Sequence, residues 1–475
     1  MKAAPTTLEP RPLVHSLATR MTAWLPALLR EPALRLRHSS LGWRLARGAF
    51  WTLTGATVAR LLGLAASVVT ARWLGTAAFG ELGFVQTTVG MFGVFAGMGL
   101  GLTATKHVAE YRLTDPERAG RIMRLTTSVA VVSGLMMAAA MAAMSDWLAL
   151  SSLGAAHLGG LLRLSAVLIF LGALNGAQLG ALAGFEAFRA TARINLYTGL
   201  AGFPFAVAGV WLGGLTGAVW AMVATQGLNC LLNHRALRAE AARAGVPWRG
   251  GTTAPGANRA WRVLLDFSLP AMLCSVMILP VNWAGMAMLV KQPGGYEQMG
   301  LFSAANQWRT AILFVPQALT GVALPALAGL DPITQARRYG GLLWGNVALV
   351  GSVALVLALG VIGGAGWILK SYGHNFAAGH ATLVFLALAA VVMSINQVLG
   401  ADVIRQGRMW PGLLCNTVWA VLFLWLAWRW VPAEGARGLA RAVLCAYPVQ
   451  SVCLFYLNRM RRPTAVNHAN LPAAS

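Results

Sequence analysis

Charge is what this sequence has least of. Charged residues make up 11% of its 475 positions, against about 25% in an ordinary soluble domain, and 57% are hydrophobic. Acids are scarcest, with 14 Asp and Glu against 37 Lys and Arg. Glu9 and Glu31 lie in the N-terminal tail, and every other acid falls at the end of a long apolar stretch or between two of them, from Glu81 and Glu110 to Asp402 and Glu434. No carboxylate is therefore expected at membrane depth, where an exporter of cationic drugs would need one. Cysteine is also rare. The five (Cys230, Cys274, Cys415, Cys445, Cys453) lie in apolar segments without a CxxC pair. That argues against a disulfide framework or a metal centre and for small packing residues. Walker A, HExxH and G-x-S-x-G sequences are missing, and Gly97-Met98-Gly99-Leu100-Gly101 lacks the strand–helix context of a dinucleotide site. ATP hydrolysis by this chain is excluded, and no enzyme activity, cofactor or metal is expected. After the first apolar stretch the longest polar one runs only from about Asn233 to Arg262, so no sizeable soluble domain is left over.

What remains is apolar sequence in lengths that cross a bilayer, with a mean hydropathy of +0.63. Twelve spans are expected: Gly48–Trp73, Phe79–His107, Leu125–Leu150, Leu161–Ala183, Asn195–Leu212 and Leu215–Leu232, then Val263–Val290, Met299–Leu330, Gly341–Leu369, Ala381–Ala401, Met409–Trp430 and Leu439–Leu457. The fold class is an all-α polytopic membrane protein. Its expected parts are a basic tail at 1–47, a six-helix bundle at 48–232, a basic loop at 233–262, a second bundle at 263–457 and a tail at 458–475. Trp73, Trp147, Trp367 and Trp410, near span ends, read as an aromatic belt. Most Lys and Arg fall in alternate loops, which puts both termini in the cytoplasm and accounts for the net charge of +23 without nucleic-acid binding. The tail also carries Trp24, Leu25, Leu28 and Leu29 among its arginines, a composition suited to an anionic membrane surface or a transit peptide.

Six spans plus six prompts a search for a repeat. Phe79-Gly80-Glu81-Leu82-Gly83-Phe84 compares with Tyr296-Glu297-Gln298-Met299-Gly300-Leu301, and Asn175-Gly176-Ala177-Gln178 with Ile395-Asn396-Gln397-Val398, at a nearly constant offset. A parallel repeat implies two bundles related by an axis along the membrane normal, with the substrate path between them. Glycines recur every fourth residue at Gly172, Gly176, Gly180 and Gly184, at Gly93, Gly97 and Gly101, and at Gly209, Gly213 and Gly217, which reads as close helix packing. Pro270, Pro280, Pro316 and Pro325 favour kinks early in the second half.

Two arginines lie inside spans. Arg60 is about 18 Å from the start of the first, and Arg309 about 15 Å from the outer end of the eighth. A guanidinium stays charged in a protein and is costly at that depth, so each should face water, a counter-charge or an anion. One cation per half with no nearby acid describes a positive cleft, and arginine's fork suits phosphate. Asn306, Gln307, Trp308 and Gln317 accompany Arg309 as candidate substrate contacts. Asn175, Gln178, Asn396 and Gln397 are deep polar residues that suit either sugar contacts or hydrogen bonds between helices.

Several motifs resemble the opening of lipid-linked oligosaccharide flippases of the multidrug/oligosaccharidyl-lipid/polysaccharide (MOP) exporter superfamily. They are Gly48-Ala49-Phe50-Trp51, Ala71-Arg72-Trp73-Leu74-Gly75, Phe79-Gly80-Glu81-Leu82-Gly83 and Gly97-Met98-Gly99-Leu100. Ala183-Gly184-Phe185-Glu186-Ala187-Phe188-Arg189 and Ser268-Leu269-Pro270 are similar to later motifs of that family. The resemblance implies a V-shaped pair of bundles, alternating access, and export of a polyprenyl-pyrophosphate-linked glycan (an O-antigen or exopolysaccharide unit) across a bacterial inner membrane. Cationic vestibules in that family match Arg60 and Arg309. A polysaccharide polymerase and glycosyltransferases are the implied partners beside the lipid-linked glycan and the bilayer. Two other readings stay open: a cation-coupled multidrug exporter, and a non-transporting membrane scaffold for glycan assembly.

Overall fold

A computed structural model describes residues 40–97, 99–152, 154–247, 277–328, 335–406 and 408–459. The tail before residue 40, most of the loop between the halves, the start of the seventh span with Pro270, and the chain after 459 lie outside the described residues.

With no water to satisfy backbone groups, a chain this apolar must close its hydrogen bonds within each segment, and helices do so. The elements are α1 (Ser40–Gly97), α2 (Leu100–Tyr111), α3 (Pro116–Trp147), α4 (Leu158–Gly184), α5 (Phe188–Arg243), α6 (Ile278–Val290), α7 (Gly295–Ala328), α8 (Ala336–Gly363), α9 (Ala365–Tyr372), α10 (His380–Arg405), α11 (Met409–Glu434) and α12 (Ala436–Arg459). One π turn, Leu148–Ser152, ends the third span, and a 3₁₀ segment, His374–Gly379, joins α9 to α10. No strand occurs among the described residues.

Eight of these helices are long and apolar enough to cross a bilayer, and two of the eight turn back on themselves. In α1 the turn is at Gly75, whose φ of 78° an L side chain rarely adopts. Residues on both sides of it, Arg60 and Gly83, reach the same helix α7, at Thr310 and Ser303. In α5 the turn is at Gly213 and Gly214. There Gly209 and Gly217 meet backbone to backbone, and Gly202 meets Thr225 one pairing further from the turn. Counting both arms gives ten passes among the described residues, and α6 and α7 occupy the places of the seventh and eighth expected spans. The expected third span begins earlier than its apolar core because Asp115 accepts the Arg118 N–H at 2.9 Å and Pro116 opens the helix.

The helices form two lobes. In the first, α1 packs on α5, α4 on α3 and α5, and α2 on α4. In the second, α10 and α11 pack on α12, and α7 and α8 on α10. Glycine makes the closest approaches. The backbone oxygen of Gly101 lies where a Cβ on Gly180 would sit, 2.1 Å away, and Thr105 donates its hydroxyl to Gly180 O at 2.9 Å. Gly93 and Gly97 instead have nothing within 4 Å, so the same spacing carries no helix contact there. Gly180→Leu is expected to destabilise the first lobe by at least about 1–3 kcal/mol, because a backbone oxygen cannot yield. A thermal unfolding curve in detergent would show it, and an unchanged midpoint would refute this packing.

The lobes meet along α1, which packs against α6, α7 and the α9–3₁₀ segment. The two motifs of the repeat face each other at this junction. A Cβ on Gly80 would lie 1.9 Å from Tyr296 O, and one on Gly300 would lie 2.1 Å from Thr76 O. Phe79 inserts edge-on against Tyr372 and Phe376, with centroids 6.3 and 5.9 Å away. These contacts close the junction on the side of the Gly75 and Gly294 turns.

Candidate functional site

Arg60 extends from the first lobe into the second. Its Nη2 donates to the Thr310 hydroxyl and, at 3.5 Å, to Gln307 O. Its Nε is buried and has no partner. Thr310 in turn donates to Gln307 O at 2.8 Å, so one face of α7 supplies both acceptors. The ion pairs among the described residues all involve other cations. The guanidinium is therefore held by neutral oxygens, with no acid paired to it among the described residues.

Arg309 is oriented differently. Its Nε donates to Asn306 Oδ1 at 2.8 Å, and its Nη1 to the Met393 sulfur at 2.9 Å on α10. Adjacent residues on a helix are about 100° apart. Gln307 and Thr310 thus present one face to α1, while Asn306 and Arg309 present the next toward α10. The structure does not bring the two guanidinium groups onto one point. It links them through α7, with Asn306 bonded to Arg309 while also lining a junction cavity of about 70 Å³ with Gln86, Thr87, Ser303 and Gln307. That space is too small for a diphosphate headgroup, in keeping with the closed contacts beside it. Trp308 is half-buried with its indole N–H unpartnered, and Gln317 is exposed two turns further along α7.

The other deep amides lie inside the separate lobes. Asn233 donates to Asn175 Oδ1 at 2.6 Å, and Gln178 is buried beside them on α4. In the second lobe Asn396 donates to Gln450 Oε1 and Tyr447 O, both at 3.0 Å, and accepts from Ser451. Gln450 donates on to Asn416 at 2.8 Å. Gln397 is half-buried next to Asn396. The offset that relates Tyr296 to Phe79 also relates Gln450 to Asn233, so each lobe ties its fourth helix to its sixth with an amide pair. Asn396→Leu is expected to destabilise the protein by about 1–3 kcal/mol, because Gln450 Oε1 and Tyr447 O lose their donor. Export per folded molecule should hold, as cell-surface glycan divided by membrane protein level would report.

Three features escape a sequence reading, two of them at the junction. Thr310 gives no signal, because a helical Thr ordinarily bonds its own backbone. Tyr372 lies between two spans, yet it is fully buried at the lobe seam. Asp402, at the end of α10, is 3% exposed and enclosed by Tyr339, Arg405 and Gln406, so an acid read as peripheral is buried within one lobe. No cluster of His, Cys, Asp or Glu among the described residues has the makings of a metal site.

Residues 45–330 match the family described as polysaccharide biosynthesis protein. The EPS I polysaccharide export inner membrane protein EpsE of Ralstonia nicotianae is 27% identical over 78% of this chain and 83% of its own length. The lipid III flippase of Escherichia coli K12 is 23% identical over 88% and 99%. Among solved structures, an inward-facing multidrug resistance MATE family transporter of the MOP superfamily superposes with a TM-score of 0.69 at 16% identity, covering 87% of this chain and 98% of that one. A MOP superfamily transporter from Pyrococcus furiosus, with a binding pocket of reversed polarity by its description, gives 0.66 at 15% identity over 88% and 96%. At these identities the superpositions establish the fold: two helical lobes of the MOP type.

Proposed function

This chain belongs to the polysaccharide biosynthesis protein family, a membrane transporter of MOP type, and we propose that it flips a polyprenyl-pyrophosphate-linked oligosaccharide from the cytoplasmic to the outer leaflet. The observation that carries this reading is Arg60: a guanidinium on the seam between two lobes, held by neutral oxygens and, among the described residues, paired with no acid. An anion arriving at that seam would gain charge-assisted hydrogen bonds without displacing a carboxylate. The names of the relatives, a polysaccharide export protein and a lipid III flippase, support the same class of cargo.

In this reading Arg60 takes the diphosphate first, and Arg309 joins through Asn306 when the junction opens. Gln307, Trp308 and Gln317 contact the headgroup or its first sugars. Asn175, Gln178, Asn396 and Gln397 hold each lobe rigid, and any sugar contact of theirs follows opening of the cleft. In this reading the chain sits in a bacterial inner membrane, and the basic loops favour both termini on its cytoplasmic side. With that orientation the Gly75 and Gly294 turns would lie outside, and the closed junction would correspond to a state shut to the outside and loaded from within. The bundles would take residues 48–232 and 263–457, the loop at 233–262 joining them and the tails at 1–47 and 458–475 flanking them. An inside-negative potential favours outward movement of anions by about 2.3 kcal/mol per charge per 100 mV, or roughly 5 kcal/mol for two charges. That bias gives direction without a coupled ion.

The test is reconstitution of the full chain in liposomes with two cargoes, a fluorescent polyprenyl-pyrophosphate disaccharide and the cationic dye ethidium. Flipping of the first, faster under an inside-negative potential, and no transport of the second is expected. Ethidium efflux driven by a sodium or proton gradient would favour a drug exporter, and movement of neither a scaffold.

A further inference from the structure

A cavity of about 550 Å³ lies at the lobe seam on the face of the Gly75 and Gly294 turns. Both lobes build it. Glu81 on α1 and Gly154 from the α3–α4 connection form one wall, and Lys291, Gln292, Tyr296 and Glu297 from the α6–α7 turn form the other. The closed junction adjoins it: Glu81 follows Gly80, whose missing Cβ lets Tyr296 O approach. Glu81 is the more enclosed of the two acids, with 15% of its side chain exposed. His157 Nε2 meets its Oε1 at 2.8 Å, which occupies one of its two oxygens. Glu297 is exposed and forms no ion pair among the described residues.

The volume is that of a small-molecule site, about 300–1,000 Å³, and the lining selects the kind of molecule. Two carboxylates stand against one ammonium here, whereas the seam beyond the junction carries Arg60 and Arg309 on neutral partners. The charge therefore changes sign along the path, and a diphosphate drawn to the seam is repelled at this mouth. A sugar meets no such conflict. Its hydroxyls donate charge-assisted hydrogen bonds to carboxylates and accept from an ammonium or an amide. Tyr296 adds an apolar ring with a polar tip. The place agrees with the chemistry: the Gly75 turn is about 22 Å along α1 from Arg60, and sugars are the part of a lipid-linked glycan that stays in water beside the membrane.

We propose that this cavity is a saccharide site, which takes sugars of the exported glycan once the headgroup has left the seam. This deepens the function proposed above and rests on it, orientation included. The two walls belong to different lobes and adjoin only while the Gly80–Tyr296 and Thr76–Gly300 contacts hold. A saccharide that bonds both walls binds the closed junction and not the parted one. By linkage it holds the exit shut while the seam receives the next cargo. Glu81 serves this site from the first lobe and Glu297 from the second.

The probe is the repeat-unit oligosaccharide released by mild acid from the surface polysaccharide of a strain dependent on this chain, free of lipid and phosphate. Calorimetric titration of the purified full chain in detergent should show it binding. Glu81→Gln and Glu297→Gln should each weaken that binding about tenfold, the usual size of one lost bond to a charged group. Affinity for geranyl pyrophosphate should stay unchanged in both, which also reports that the chain is folded. Glu297 is exposed, so its substitution leaves the packing intact. In liposomes, Thr87→Cys in a background lacking the five native cysteines reads the junction. Oligosaccharide on the Gly75 side at ten times its Kd should slow labelling by an impermeant maleimide about tenfold. A native chain that binds geranyl pyrophosphate but not the oligosaccharide overturns the saccharide site and spares the proposed function. So does oligosaccharide affinity that both substitutions leave unchanged. Binding without slower labelling overturns the hold on the junction. A chain that binds the oligosaccharide but not geranyl pyrophosphate overturns the function proposed above, and the exit role with it.

Discussion

Arg60→Ala is expected to reduce glycan export at least about 100-fold. A guanidinium that grips a diphosphate makes two charge-assisted hydrogen bonds, each contributing about 1.5–3 kcal/mol, and about 1.4 kcal/mol is a factor of ten. Arg60→Lys should recover only part of the loss, because an ammonium is a point charge that cannot match a phosphate edge with two parallel bonds. Arg60 also bonds the opposite lobe at Thr310 and Gln307, so its loss weakens the closed junction as well. Thr310→Val separates the two effects. It removes the hydroxyl acceptor and leaves the cation, and it should reduce export by less than about tenfold. Cell-surface polysaccharide in a strain dependent on this chain reports all three. Export that survives Arg60→Ala would remove the cargo role from this residue.

The second large effect is expected at Gly80. A Cβ there would lie 1.9 Å from Tyr296 O and 2.7 Å from Gly300 N, and backbone atoms of another lobe cannot be repacked as a side chain can. The clash exists only where the lobes meet at the Gly75 face, so Gly80→Val should fold and insert but fail to close there. Without that closure the cycle stops, and export should fall to background. Thr87→Cys, in a background lacking the five native cysteines, would report the state. The native Thr87 bonds Gly83 O and faces Met286 across the junction. A membrane-impermeant maleimide added from the Gly75 side should label that site quickly with Gly80→Val and slowly without it. Gly63, with nothing within 4 Å, provides the control: Gly63→Ala should change neither labelling nor export. Equal labelling with and without Gly80→Val would show that the junction closes by some other contact.

Much of this was legible in the sequence because bilayer constraints are severe. Apolar length fixes the number of passes, and every helix end is free to vary by a few residues without changing it. The repeat was legible for the same reason: Phe79–Phe84 and Tyr296–Leu301 resemble each other because equivalent helices meet across the seam and need the same small residues there. Arg60 and Arg309 stood out because charge at depth requires a reason. Their orientations were not legible. Whether Arg309 turns toward α1 or α10 depends on one residue of helical phase, and Asn306 and Met393 provide the partners that decide it. The amide ladders of Asn175–Asn233 and Asn396–Gln450 needed partners far away in the chain, which no local pattern announces. Tyr372 was hidden by its address. A tyrosine between two spans reads as an interfacial anchor, and only the folding of α9 against Phe79 buries it.

The central claim is that a fixed positive charge at the lobe seam exists to receive an anionic headgroup. The most direct measurement keeps the protein unchanged and alters the cargo. Liposomes containing the full chain would be given the same fluorescent disaccharide on the same polyprenyl chain, once through a pyrophosphate and once through a neutral ether. The account predicts that the pyrophosphate form flips at least about 100-fold faster, from the loss of two charge-assisted bonds, and that Arg60→Ala brings the two rates together. Equal rates for both cargoes with the native chain would contradict it.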